Sequence, residues 1–286
     1  MTAAHELTDA LNGKWYTSYG MALCPAHDNR HTPALSIGTG NDGKLLIKCF
    51  AGCSFFEIKD ALERLGFWRH ESDAAVSRLY QKKNLNNSIR ARRIWDASVT
   101  AGGTLAEKYL RQRKITARIP SSIRFNKSCW HSSGTYLPAM ISKISGAQDF
   151  GIHRTFLDAS GSKTSLNPQK AMLGTASGGS VVLSNSGNNL LVCEGIETGL
   201  SLLSGLLSPA PTVWACLSTS GMKNLNFPQN LSNIIIATDG DHAGRQAGRI
   251  LAERAVKLGI KVDMLHAPDH SDFNDVLNAL GEIDED

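Results

Sequence analysis

Two short apolar runs, each stopped by acid and glycine, constrain this chain most. Ile234-Ile235-Ile236-Ala237 leads into Asp239-Gly240-Asp241, and Leu190-Leu191-Val192-Cys193 leads into Glu194-Gly195. A strand that is apolar on both faces belongs in the middle of a parallel sheet, covered by helices on both sides. The segments from Glu197 to Leu207, Ala243 to Leu258 and Phe273 to Leu280 read as those helices. Residues 212–216 and 262–265 read as further strands. Strands alternating with helices predict an α/β fold. Ligands of such sheets bind at the carboxyl ends of strands, so both acidic motifs are expected on one edge.

Crowded carboxylates repel, by roughly 4 kcal/mol per pair at about 4 Å and an effective dielectric near 20. A protein keeps such a cluster when a divalent cation neutralises it or when the acids hold their protons. Hard oxygen donors with open positions suit magnesium bridging to phosphates. Glu194, Asp239 and Asp241 are therefore the candidate catalytic metal ligands. The Asp272-Phe273-Asn274-Asp275 run adds further acids, and so does Glu197. Asp272 suits a helix N-cap as well as a metal. Glu197, in a first helical turn, also favours the helix dipole. The glycines at 195, 240 and 244 permit tight turns and close backbone approach.

Near the N-terminus stand Cys24-Pro25-Ala26-His27 and Cys49-Phe50-Ala51-Gly52-Cys53. Two close pairs separated by a hairpin-sized insert are what a tetrahedral zinc ion requires, each turn supplying two ligands. Four filled positions leave none open for catalysis, so one structural zinc on Cys24, His27, Cys49 and Cys53 is expected. His31 is an alternative to His27. Metal binding in modules this small contributes on the order of 10–16 kcal/mol to folding. Phe50, Phe55 and Trp68 are either exposed apolar contacts of this module or its small core. Six cysteines in 286 residues, three at metal spacing, suit a reducing cytoplasm rather than a disulfide framework. There is no run of about 18 apolar residues and no apolar stretch of signal-peptide type.

The net charge of +4 conceals an asymmetry. Residues 1–70 carry seven basic and seven acidic side chains, residues 71–145 fourteen and four, and residues 146–286 nine and fifteen. The basic middle reads as a polyanion-binding surface or as a solvated helical face. Four segments follow: a zinc-binding module over 1–70, a polar linker over 71–90, a basic mixed α/β subdomain over 91–180, and an α/β domain over 181–286.

These motifs together resemble a known family. LLVCEGIETGLSLL, IIIATDGDHAGRQAG and DFNDVL are similar to the Toprim domain of bacterial-type primases, topoisomerases and some nucleases. MALCPAHDNRHTPALSIG and LLIKCFAGCSFFEI resemble the N-terminal zinc-binding domain of DNA primases, their C-x3-C spacing matching the phage and plasmid branch. AEKYLRQRKI through SSIRF, and GIHRTFLDASGSKTSLNPQKAMLG, resemble the basic region that precedes Toprim.

The resemblance implies a DNA primase that makes RNA primers from ribonucleoside triphosphates on a single-stranded DNA template. It implies catalytic magnesium or manganese on Glu194, Asp239 and Asp241, with Glu197, Asp272 and Asp275 in support. Arg154, Lys163 and Lys170, with Arg111 and Arg113, would contact nucleotide and template. The zinc module would help choose the start site, and a replicative helicase would be the partner, fused or borrowed. Trp95, Trp130 and Tyr136 are candidates for base stacking or for the core. Lys114 departs from the glycine common after this family's YLxxR. Two rivals stand beside this reading: a Toprim-type magnesium-dependent nuclease, and a non-catalytic zinc-containing DNA-binding factor. The chain has no Gly-x-x-x-x-Gly-Lys-Ser/Thr loop and no room for the large domain that carries a topoisomerase tyrosine.

Overall fold

A computed structural model describes residues 3–27, 32–40, 44–68, 73–185 and 189–283, which form two compact units dividing between Ser77 and Arg78. No described helix is long and apolar enough to cross a membrane. All six cysteines are free thiols.

The first unit begins with helix α1 (Ala3–Ala10). An antiparallel meander follows in the order β1 (Lys14–Trp15), β2 (Tyr19–Ala22), β3 (Leu35–Thr39) and β4 (Leu45–Cys49), then helix α2 (Phe55–Arg64). Alternation along the strands turns Ala22, Leu35 and Ile37 to one face, where they meet Ala4 and Leu7 of α1 and Ile58 and Leu62 of α2. Register sets Ala22 opposite Leu35 and Leu35 opposite Cys49. The ends of two hairpins thus lie side by side. A capping box starts α2: Glu57 N–H donates to Ser54 Oγ, and Ser54 N–H to Glu57 Oε2.

Residues 71–90, read from their polarity as a linker, are helical from Asp73 onward, and that helix continues past Arg78 into the second unit. Helix α3 (Asp73–Asp96) ends by burying Ala91 and Trp95 against the next sheet. Strand β5 (Val99–Thr100) and helix α4 (Leu105–Gln112) come next. Then follow β6 (Ile123–Trp130), β7 (Tyr136–Ile144), β8 (Gly151–Phe156) and β9 (Lys170–Gly174), which with β5 form an antiparallel sheet in chain order.

The remaining chain is β10 (Val181–Ser184), β11 (Leu190–Cys193), α5 (Ile196–Ser201), β12 (Thr212–Ala215), α6 (Thr219–Lys223), β13 (Asn233–Thr238), α7 (His242–Lys257), β14 (Lys261–His266) and α8 (Phe273–Ile283). Its sheet has the order β10-β12-β11-β13-β14. β11 runs parallel to both β12 and β13, and β13 parallel to β14. The strands expected from sequence are all parallel, and the sheet gains one further strand that was not read from sequence. β10 pairs antiparallel with β12 as an edge strand. The helix expected over Glu197 to Leu207 also breaks early, passing at Leu202–Leu206 into a turn with Gly205 at φ +112.

Period-two alternation divides the central strands between two cores. Leu191, Cys193 and Ala237 face a core shared with Tyr109 and Leu110 of α4, Met140 and Ile144 of β7, and Phe273 of α8. Leu190, Val192, Ile234 and Ile236 face α7, whose Ala247, Leu251 and Ala255 recur every fourth residue. The first core glues the antiparallel sheet to the mixed one, so side chains from both can meet at the carboxyl edge of β11 and β13.

Candidate functional site

Each acid of that edge owes its place to a strand end. Glu194 follows β11. Its carboxylate accepts the Thr219 N–H, and its carbonyl accepts the Leu217 N–H at 2.7 Å. Leu217 holds φ +72, so the chain leaving β12 is bent into the left-handed region to make that turn. Asp239 follows β13 and accepts from the Thr198 hydroxyl at 3.3 Å. Gly240 packs backbone on backbone: a Cβ there would lie 1.8 Å from the Pro268 carbonyl oxygen. That approach brings the loop before α8 beside Asp239. Asp241 caps α7 by accepting the Gly244 N–H at 2.6 Å.

Electrostatics follow from this crowding. Burial, then the charges of Asp239 and Asp241, push the Glu194 carboxyl up to about 7. Burial, then the charge of Asp272, push Asp239 up to about 6. Both acids are short of positive charge, which is the condition that favours a cation. Among the described residues no three carboxylates come within 4.8 Å of one another. Hard carboxylate oxygens are the donors that magnesium prefers. The donor set therefore fits that ion.

The outer acids are otherwise employed. Asp272 Oδ1 accepts the N–H groups of Asn274 and Asp275, and Asp275 Oδ2 accepts the Asp272 N–H at 2.9 Å. This reciprocal cap gives Asp272 and Asp275 a structural role at the start of α8, as Asp241 has at the start of α7, and the charge of Asp272 also reaches Asp239. Glu197 is buried. Tyr109 Oη donates to its Oε1 at 2.7 Å, Lys170 Nζ lies 3.0 Å from its oxygens, and Lys163 Nζ lies 3.9 Å away. Burial alone would raise the Glu197 carboxyl, but Lys170, the Tyr109 hydroxyl and Lys163 hold it well below the usual range.

The basic candidates separate into two groups. Lys163, Lys170 and Arg113 gather around Tyr109 and Glu197, with Arg113 5.8 Å from the Tyr109 ring. Arg111 instead ties down the loop after α4 through the carbonyls of Ile115 and Ala117 and the Glu107 carboxylate. Arg154 lies on the other sheet face. Thr155 is the residue opposite Lys170, so its neighbour Arg154 points away and donates to the carbonyls of Trp130 and Met172. Beneath the lysines, Ser142 Oγ, His153 Nδ1 and Thr155 Oγ1 are buried without a hydrogen-bond partner. Burial pushes His153 down to about 4, so it is neutral.

Aromatic candidates also resolve. Trp95 is core, with the Arg124 guanidinium 4.3 Å over its ring. Trp130 and Tyr136, 41% and 65% exposed, sit opposite each other on β6 and β7 with rings 5.2 Å apart. Phe50 is exposed, whereas Phe55 and Trp68 meet edge to face.

In the first unit, donor atoms of Cys24, His27, Cys49 and Cys53 all lie within 4.8 Å of one another. His27 Nδ1 is 3.1 Å from Cys53 Sγ and 3.8 Å from Cys49 Sγ. A zinc tetrahedron separates such donors by about 3.5–3.8 Å. Burial and the charge of Cys24 push the Cys53 thiol up to about 12, since three sulfurs this close need a cation among them to ionise together. The set fits zinc. Gly52, at φ +96, makes the turn between the last two ligands. His31 lies outside the described residues.

Tyr109, Thr198, Thr219 and Asn274 were not singled out for function from sequence. Asn274 is buried and donates to Ser201 Oγ and the Arg113 carbonyl, linking α8 to the basic loop. Only the run DFNDVL hinted at it.

The parallel strands with acids at their carboxyl edge define an α/β domain whose candidate site lies at that edge. Residues 189–282 match the model of the Toprim domain, and residues 86–183 match a domain of unknown function, DUF7146. The chain thus carries a Toprim domain behind a Cys-His-Cys-Cys group. No curated protein matches it. Among solved structures, it is similar to the Aquifex aeolicus primase (zinc binding and RNA polymerase domains) at 15% identity, over 100% of this chain and 81% of that one, with a TM-score of 0.38. The RNA polymerase domain of Mycobacterium tuberculosis primase DnaG matches at 16% identity over 71% and 81%, TM-score 0.41. The primase fragment of the bacteriophage T7 primase-helicase protein matches at 20% identity over 51% and 65%, TM-score 0.33.

Proposed function

We propose that the chain is a DNA primase of the phage and plasmid type. It would build short RNA primers on single-stranded DNA during replication of a phage, plasmid or mobile element. One observation carries this reading: the acidic edge and the basic sheet meet. Lys170, delivered by β9, touches Glu197 and its charge reaches Glu194 and Asp239. Acids that hold a divalent cation beside lysines that hold phosphate are the two halves of a phosphoryl-transfer site.

Glu194, Asp239 and Asp241 would hold magnesium or manganese, which supplies charge neutralisation on the triphosphate and the growing strand. Lys170, Lys163 and Arg113 bind the triphosphate oxygens of the incoming ribonucleotide. Half-burial of Glu194 and Asp239 keeps part of the water away and strengthens these interactions. Arg90 and Arg93, exposed on the last turns of α3, attract the template backbone, with affinity falling as salt rises. The Trp130–Tyr136 pair offers faces for unpaired bases. Zinc on the Cys-His-Cys-Cys set holds the first unit folded so that it can meet the template. A replicative helicase is the expected partner.

The test is ribonucleotide incorporation on single-stranded DNA of random sequence, with magnesium or manganese. Wild type should make primers and Asp239→Ala should not. Equal product from both would remove the assigned site. Plasmid nicking in magnesium without nucleotides would replace synthesis by cleavage.

A further inference from the structure

Glu197 has the chemistry of a metal ligand and the address of one, three residues after Glu194. Its contacts say otherwise. Its side chain is only 7% exposed, while those of Lys163 and Lys170 are 26% and 38% exposed. The carboxylate is therefore the floor and the two ammonium groups are the rim. Three partners reach it from three places. Tyr109 comes from α4, Lys170 from β9, and Lys163 from the loop between β8 and β9, where Leu157 bridges Lys163. None of these partners is local to α5. The arrangement orients the lysines, because a flexible four-carbon side chain has no fixed head position without an anchor.

We propose that Glu197 is a positioning residue: it anchors Lys170 and Lys163 as a paired seat for a nucleotide's phosphates, and it is not a metal ligand. The inference rests on the nucleotidyl-transfer reading for its substrate class, but its geometry is independent of which reaction follows. Two like charges are poor neighbours. One buried carboxylate between them lets both remain close enough to grip a single phosphate chain. Tyr109 fixes the carboxylate from behind, so the lysines sit on a rigid support rather than on a rotamer. The buried Nδ1 of His153 and hydroxyls of Ser142 and Thr155, all without partners, line the same sheet face. They offer polar atoms rather than charge beneath the lysines.

The full chain, zinc-loaded, allows two direct binding measurements: manganese by calorimetry without nucleotide, and ATP by equilibrium binding. Glu197→Gln should weaken ATP about tenfold, the scale of one lost charge-assisted contact, and leave manganese binding as in wild type. Asp239→Asn should do the reverse for manganese. Steady-state synthesis should show the KM for ribonucleotide rising more than kcat falls in Glu197→Gln. In a Lys163→Gln/Lys170→Gln background, adding Glu197→Gln should change ATP binding little, because nothing remains to be positioned. Tyr109→Phe keeps every charge and guards against simple misfolding; it should weaken ATP by a smaller factor with unchanged manganese affinity. Loss of manganese binding in Glu197→Gln to the level of Asp239→Asn would overturn the proposal. So would full additivity with the lysine substitutions, or normal ATP binding in a folded Glu197→Gln. If wild type makes no primers but these binding differences hold, the primase reading fails and the positioning role stands.

Discussion

The two candidate metal centres of this molecule are built on opposite plans. Four donors of the first unit crowd within 4.8 Å of one another, all from two short turns, while no three carboxylates of the Toprim edge come that close. The first set is closed and local, and any cation it holds is fully wrapped by protein. The second is open and assembled from strand ends far apart in sequence. Closure stores folding energy and leaves no position for a substrate. Openness leaves half-buried carboxylates unneutralised until a cation arrives, visible in the values raised by burial and then by neighbouring charge at Glu194 and Asp239.

That contrast is broken most directly at Cys49. Cys49→Ala should release zinc and unfold the first unit, since metal binding of about 10–16 kcal/mol exceeds what so small a core supplies. Zinc stoichiometry and thermal melting check it. A folded, zinc-loaded variant would remove Cys49 from the ligand set. Asp239→Asn should do the opposite, lowering primer synthesis by about a hundredfold or more while the fold persists. A collapse of the second unit in that variant would make the acidic edge structural too.

The same contrast explains what could be read in the sequence. The zinc set was legible because its geometry is local: C-x2-H and C-x3-C put two donors in one turn, and only the meander has to bring the turns together. Glu194, Asp239 and Asp241 were legible because apolar runs announce strands and strand ends face one edge. Asp272 was legible both as an acid and as a cap, but the return bond from Asp275 was not, since it depends on where α8 begins. Arg154 and Lys170 looked equivalent as basic residues. Which face of the antiparallel sheet each occupies is set by register with β7 and β9, so their separation was invisible. Tyr109 shows the limit most clearly. It reads as an apolar helix position, and its hydroxyl finds Glu197 only because a shared core presses α4 against α5 across 88 residues of chain.

Smaller effects sharpen the idea that the open site is strained. In metal-free protein, Glu194 stands at about 7 against an ordinary 4.5, mainly through burial and then the charges of Asp239 and Asp241. A carboxyl raised on folding disfavours the ionised form in the fold. Its cost is absent below the ordinary value, grows as pH rises from there, and is complete above about 7. Glu194→Gln should therefore raise the metal-free melting temperature at pH 8, by about 2–4 °C for each kcal/mol relieved. The gain should vanish near pH 4. Magnesium at pH 8 should stabilise wild type more than the variant. An unchanged melting temperature at pH 8 would show that neither burial nor neighbouring charge penalises the Glu194 carboxylate appreciably.

The least effect separates the two sites at their turns. The zinc loop places glycine at its left-handed position, Gly52 at φ +96, and a Cβ there would meet nothing within 4 Å. The loop that closes α4 beside the lysine seat places Lys114 at φ +59 instead. The left-handed conformation costs a residue with a Cβ about 1–2 kcal/mol, while glycine loses part of that advantage through its freer unfolded chain. Lys114→Gly should then stabilise the second unit by about 0.5–1 kcal/mol, and Gly52→Ala should destabilise the first by about 1–2 kcal/mol through backbone conformation alone. Chemical denaturation of each variant measures both. If Lys114→Gly is destabilising, the lysine side chain contributes more to that loop than its backbone costs, and the departure from glycine at this position is a gain for this chain rather than a tolerated strain.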